Sequence, residues 1–158
     1  MVLWDLVFDA VGSEYPDVSC DKMLVDAMTV RMVQKPQSLD TIVATNLHGD
    51  ILSDLGAALA GSIGIAASSN LNPTRKYPSM FEPIHGSAPD IIGKGVANPL
   101  GTIASAVETL KWLGEEPAAE KINGEINLVT AIGTKTRDLG GQAGTNEVTE
   151  AILQHLQG

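Results

Sequence analysis

A chain of 158 residues with 44% apolar side chains has room for one domain with a real hydrophobic core. Its formal charge of -9, from 19 acidic and 10 basic residues with no basic cluster, excludes nucleic acid as a partner. The single Cys20 excludes an internal disulfide and a cysteine zinc cluster. No run reaches the roughly 18 apolar residues of a membrane span, and Met1 to Asp5 lacks the basic start of a signal peptide, so a cytoplasmic protein without membrane contact is expected.

Val2, Leu3, Leu6, Val7, Ala10 and Val11 recur at helical spacing and predict an opening helix that stops at Gly12, before a turn at Tyr15-Pro16-Asp17. Asp21 is placed to cap a second helix, with Met23, Leu24, Ala27, Met28, Val30, Met32 and Val33 as its apolar face, ending before Pro36. Asp26 falls inside that stretch, where a carboxylate needs either water or a positive partner.

Thr41-Ile42-Val43-Ala44-Thr45 reads as a buried strand, followed by a helix from about 49 to 60 that Gly61 closes. Asp50 and Asp54 are four apart, which puts both carboxylates on one helix face, one turn apart. Two like charges this close repel unless a cation such as Mg²⁺ or Mn²⁺ sits between them. Aspartate near a helix N-terminus is also favoured by the macrodipole alone, so the spacing leaves both readings open.

Ser62 to Ala66 is expected as another strand, 68–79 as a polar loop with Arg75 and Lys76, and Met80 to Ile84 as a short extended segment. His85 to Pro99 is a glycine-punctuated loop whose N–H groups could cradle an anion, and Asp90 could accept two hydrogen bonds from a ribose diol. It carries neither G-x-G-x-x-G nor a P-loop Lys-Ser/Thr pair, so the residues alone define an ordered functional loop.

Pro99 opens a helix with Ile103, Ala106, Val107, Leu110 and Leu113 on one face, ending at Gly114. A further helix carries Ala118, Ile122, Ile126 and Val129. A loop over 134–144 holds Asp138 and Gly140-Gly141, and Thr145 or Asn146 caps a last helix with Val148, Ile152, Leu153 and Leu156. Short apolar strands among helices predict a single α/β domain over 1–158, with a mainly buried sheet flanked by helices.

Two segments carry a resemblance. Asn46-Leu47-His48-Gly49-Asp50-Ile51-Leu52-Ser53-Asp54 and Phe81-Glu82-Pro83-Ile84-His85-Gly86-Ser87-Ala88-Pro89-Asp90 closely resemble the motifs of the β-decarboxylating dehydrogenases, which act on isopropylmalate, isocitrate, tartrate and D-malate. Asn70-Leu71-Asn72-Pro73 with Lys76-Tyr77-Pro78-Ser79-Met80 looks most like the tartrate/D-malate branch. The similarity runs from Trp4 to Leu156 and implies an isopropylmalate dehydrogenase-like fold, C-terminal half only, with a helical dimer interface.

What the resemblance implies is oxidative decarboxylation of a small 2-hydroxy dicarboxylic acid, with NAD and Mg²⁺ or Mn²⁺. Asp50 and Asp54 would be metal ligands, and Asp26 of the dimer partner a third ligand and a catalytic group. In the loop from Gly86 to Asn98, the residues Gly86, Ser87, Ala88, Asp90 and Ile91 would bind NAD. His85 and Asn98 would contact its adenine side. Asp90 would take the ribose hydroxyls, which favours NAD over NADP. Glu82 would lie near the nicotinamide, and Asp138 is a further cofactor candidate. The helices of Asp26 and Asp50 would form a four-helix interface in a homodimer or larger homo-oligomer, with Met28, Met32, Leu55 and Leu59 inside it.

The chain departs from that pattern twice. Family members are about twice as long, and their first half carries the substrate arginines, a catalytic tyrosine and a catalytic lysine, so a fragment, a truncated product or a chain that works differently is expected. His48 stands where the family usually has Phe. An imidazole beside two carboxylates could be a general base, a ligand or an orienting group, or a ring-for-ring replacement. Two alternatives therefore stand beside the dehydrogenase: a repurposed small-molecule enzyme using His48 with Asp50 or Asp54, and a non-catalytic dimeric remnant.

Overall fold

The computed structural model describes residues 2–157. Two compact units divide the chain, one running through Val43 and a larger one from Ala44.

The first unit holds α1 (Val2–Ser13), α2 (Val25–Gln34) and a 3-10 turn at Pro36–Ser38. α1 follows the helical spacing, but neither helix has a buried residue. Trp4, Val7, Phe8 and Val11 of α1 line an open apolar groove with Tyr15, Val18 and Val43. α2 starts four residues after Asp21, and its N-cap is Leu24 with no side-chain cap. The Asp21 carboxylate accepts from Arg31 Nη1 at 2.8 Å instead. Arg31 also donates to Ser38 Oγ at 2.9 Å and to Ser38 O at 2.8 Å. A charge-assisted bond to a guanidinium outcompetes a cap to neutral N–H groups. Asp26 lies in the first turn of α2, exposed, and its Oδ1 accepts from Ala27 N at 2.8 Å. Exposure to solvent and a place in the first turn of a helix suit a carboxylate here.

The second unit runs α3 (Asn46–Ala60), β1 (Ala67–Asn70), β2 (Met80–Pro83), α4 (Leu100–Leu113), α5 (Glu116–Ala131) and α6 (Thr145–Gln157). Short 3-10 turns lie at Ile63–Ile65, Pro89–Ile91 and Arg137–Leu139. Gly61 and Gly114 close α3 and α4 as read.

The strands differ from expectation. Residues 41–45 join no ladder, and α3 begins at Asn46, where extended Thr45 (φ -67°, ψ 159°) accepts at its O from Gly49 N at 2.7 Å. β-Branched residues favour extended backbone, but a strand also needs a partner for its N–H and C=O groups. Ser62 Oγ accepts from Gly64 N at 2.9 Å and bends Ile63–Ile65 into a 3-10 turn, so the strand forms one step later, at Ala67. β1 and β2 pair antiparallel, Ala67 opposite Pro83 and Asn70 opposite Met80. This two-stranded ribbon has no buried residue, so the mainly buried sheet is not what forms here.

The long connection between the strands is tied to α4. Arg75 Nη2 donates to Trp112 O at 2.5 Å, and the guanidinium lies 4.4 Å from the Trp112 ring centre. A cation at a helix C-terminus and over an indole is favoured twice. At its other end α4 packs on the start of the ribbon. A Cβ at Gly101 would meet Gly64 O at 2.9 Å and Pro83 Cβ at 3.2 Å, so the helix sits as close as glycine permits.

The core lies among α4, α5 and α6. Leu100, Val129, Val148 and Ile152 form it, with Ile65, Ile103, Ile126 and Leu139 against it. Thr145 does not cap α6 but is its first residue, and Gly144 N donates to Glu147 Oε2 at 2.6 Å. Among the described residues, no helix is long and apolar enough to cross a membrane.

Candidate functional site

Asp50 and Asp54 sit one turn apart on α3, both exposed, while Leu52 and Ala57 are buried. Among the described residues neither carboxylate joins an ion pair, and Ser53 Oγ donates only to the main-chain O of Asp50. Two exposed carboxylates with no counter-charge fit a hard divalent cation in donor chemistry. Among the described residues no group of three or more His, Cys, Asp and Glu converges on one point. Asp26 belongs to the first unit and is described there.

His48 is half-buried on α3, two residues before Asp50. At about 100° per residue its side chain leaves the helix roughly 160° away from that of Asp50. It shares a face with buried Leu52, four residues on. On α3 the His48 side chain therefore leaves the helix on a different side from Asp50.

Glu82 is exposed on β2 opposite Ser68. His85 follows β2, half-buried, with Nδ1 3.1 Å from Gly86 O. In a neutral ring that contact puts the proton on Nδ1 and leaves Nε2 as an acceptor. Gly86, Ser87, Ala88, Asp90 and Ile91 are all exposed. Ala88 has φ 42° and ψ 63°, a left-handed conformation. It is disfavoured for any residue before proline and costs on the order of 1 kcal/mol or more. The 3-10 turn at Pro89–Ile91 then presents Asp90, whose carboxylate is in no ion pair among the described residues.

The far end of this loop is pinned. Thr145 N donates to Gly95 O at 2.9 Å and Thr145 Oγ1 to Ala97 O at 2.5 Å. Asn98 Oδ1 accepts from Leu100 N at 2.9 Å, and Asn98 Nδ2 donates to Asp138 Oδ2 at 2.9 Å. Asp138 also accepts from Ser62 Oγ, and its Oδ1 accepts from Thr136 Oγ1 at 2.5 Å. The side chains of Asn98 and Asp138 are thus engaged with other groups of the chain. Ser62, Thr136 and Thr145 are contributors that the sequence reading passed over. The only local signals were the Ser62-Ile63-Gly64 turn and the Thr136-Arg137-Asp138 spacing.

Partial shielding from water raises the Asp138 pKa, but hydrogen bonds from Asn98, Ser62 and Thr136 outweigh it and hold the carboxyl below its ordinary value of 3.8. A group lowered on folding stabilises the fold above its unfolded pKa and loses that contribution as pH falls through its native value. The chain is therefore expected to lose stability below pH 3.8, and Asp138→Asn to flatten that part of the profile. Urea unfolding between about pH 5 and 2.5 checks this; parallel profiles for the two proteins would contradict it.

The family model of isocitrate/isopropylmalate dehydrogenase matches residues 1–152. A probable tartrate dehydrogenase/decarboxylase of Agrobacterium vitis is 58% identical over 158 residues, covering 100% of this chain and 44% of that protein. The D-malate dehydrogenase [decarboxylating] of Escherichia coli (strain K12) is 47% identical, covering 98% of this chain and 44% of that one. The crystal structure of isocitrate dehydrogenase from Methylococcus capsulatus superposes with a TM-score of 0.92 at 39% identity, covering 99% of this chain and 46% of the other. The chain thus spans less than half the length of these relatives, and it carries the fold of that portion. It belongs to the isocitrate/isopropylmalate dehydrogenase family.

Proposed function

We propose that this chain supplies the metal-binding carboxylates and the NAD-binding loop of an oxidoreductase that decarboxylates a small 2-hydroxy dicarboxylic acid of the tartrate, D-malate or isopropylmalate type. The observation that carries the reading is the Asp50–Asp54 pair, exposed, one turn apart and in no ion pair among the described residues.

Asp50 and Asp54 would hold Mg²⁺ or Mn²⁺, which when bound supplies a Lewis acid at the substrate hydroxyl and carboxylate oxygens. NAD, when bound, accepts the hydride. The chain's own groups do the positioning. Asp90 offers two acceptor oxygens to a ribose diol, and its charge disfavours a 2′-phosphate, which favours NAD over NADP. His85 presents Nε2 as an acceptor toward the adenine side. Exposed Gly86, Ser87, Ala88 and Ile91 let the loop main chain approach the dinucleotide, and Glu82 lies at the strand end that leads into the loop. Asp26 of a second copy would complete the metal ligands.

The expected result is that calorimetry shows saturable binding of NAD by the chain, weaker binding of NADP, and loss of the NAD preference in Asp90→Asn. No binding of NAD, or equal binding of NAD and NADP, would contradict the reading.

A homodimer or larger homo-oligomer is part of the same proposal. Val30 and Val33 of α2 and Leu47, Ile51 and Leu59 of α3 are exposed, and apolar faces of this extent are stable when a partner covers them. Light scattering is expected to give at least twice the mass of one chain; a monomer at micromolar concentration would refute this.

A further inference from the structure

We infer that Asp138 is the positioning residue of the loop over 86–98: its carboxylate orients the Asn98 amide and so fixes where the loop ends and α4 begins. Three segments remote in sequence meet at this one group. Ser62 stands 76 residues away and Asn98 stands 40 away, while Thr136 donates from just ahead of it. Ser62 and Thr136 are buried.

The junction is tight. A Cβ on Gly64 would come within 2.8 Å of Asp138 Oδ2 and 2.9 Å of Asn98 Cβ, so Gly64 lets these two side chains approach the turn after Ser62.

The chemistry of the group matters as much as its place. An ionised carboxylate only accepts. The Ser62 hydroxyl must therefore donate to it, which frees a Ser62 lone pair for Gly64 N at 2.9 Å. The Asn98 amide must turn its Nδ2 toward Asp138, which aims Oδ1 at Leu100 N, 2.9 Å away, and satisfies an orphan N–H at the start of α4. A neutral amide in place of Asp138 would present a donor as well, and the direction of these bonds would no longer be forced. Thr145 holds the carbonyls of Gly95 and Ala97, so Asp138 and Thr145 together anchor the C-terminal end of the loop, while the stretch with Ala88 and Asp90 stays exposed.

The consequence for cofactor binding rests on reading 86–98 as the NAD loop; the positioning role itself does not. The test compares amide hydrogen exchange and calorimetric NAD affinity in the unmodified chain, Asp138→Ala and Asp138→Asn. Asp138→Ala is expected to speed exchange over 94–100 by at least about tenfold, as for loss of a charge-assisted hydrogen bond, and to weaken NAD about as much. Protection in α5 and α6 should persist. Asp138→Asn keeps one acceptor for Asn98 and Ser62 and should fall between.

Unchanged exchange over 94–100, or an equal rise through α5 and α6, would overturn the proposal. If the alanine variant does not fold, the asparagine variant decides on the same segment: faster exchange there supports the role and identical rates overturn it. An unmodified chain that does not bind NAD overturns the cofactor reading alone, and the exchange data still decide Asp138.

Discussion

Gly141→Ala is expected to cost the second unit more than about 3 kcal/mol, enough to unfold much of it. A Cβ there would fall 1.9 Å from the Lys135 carbonyl oxygen, 2.4 Å from its carbonyl carbon and 2.6 Å from the Lys135 Cβ. Main-chain atoms cannot swing aside as a long side chain can. Nor can the Lys135 peptide retreat cheaply. Ala143 N donates to Lys135 O at 2.9 Å, Gly141 N to Thr136 O at 2.9 Å and Gly140 N to Arg137 O at 3.0 Å, so the two sides of this loop are already bonded to each other. Moving residue 135 would also move Thr136 and, through it, Asp138. Gly124, in the middle of α5, provides the contrast. It has open space where a Cβ would be, and Gly124→Ala is expected to stabilise the helix by up to about 1 kcal/mol. Urea unfolding followed by circular dichroism checks both, and a Gly141→Ala midpoint equal to that of the unmodified chain would contradict the expectation.

The contrast between these two glycines also shows what can be read without a structure. The Gly140-Gly141 pair marks a loop, but the close approach of Lys135 to Gly141 leaves no local mark in the sequence. Helices α4, α5 and α6 were legible because the faces that their apolar spacing defines are buried against one another inside this chain. The strands were less so. Residues 41–45 have strand composition but no ladder partner, and the Ser62 hydroxyl diverts the next apolar stretch into a turn. Asp21 has the right chemistry for a cap and is taken by Arg31 instead.

At the site, the Asp50–Asp54 spacing and the glycine-punctuated loop were visible as patterns. Which loop residues reach solvent and which are engaged within the fold was not, because that depends on Asp138 and Ser62, 76 residues apart. His48 is the opposite case. It stands close to Asp50 in sequence, yet helix geometry separates them.

Mn²⁺ binding is expected to fall by at least about a hundredfold in Asp50→Asn/Asp54→Asn, since removing direct ligands costs no less than disturbing the groups behind them. The physical reason is the uncompensated charge. Two carboxylates one turn apart on α3 repel at helix distances, and no Lys or Arg of this chain pairs with either among the described residues. A bound divalent cation would turn that repulsion into coordination, and asparagine keeps the size of the side chain while removing the charge. Relief of the same repulsion means that the double variant should be no less stable than the parent without metal. His48, on the other side of α3, should contribute nothing to the metal.

The most direct test is a titration of free Mn²⁺ by electron paramagnetic resonance with the unmodified chain, Asp50→Asn/Asp54→Asn and His48→Ala. Saturable binding by the unmodified chain and by His48→Ala, lost in the double asparagine variant, is the expected result. Binding that survives the loss of both carboxylates, or that disappears with His48, would contradict the assignment of the α3 pair as the metal ligands.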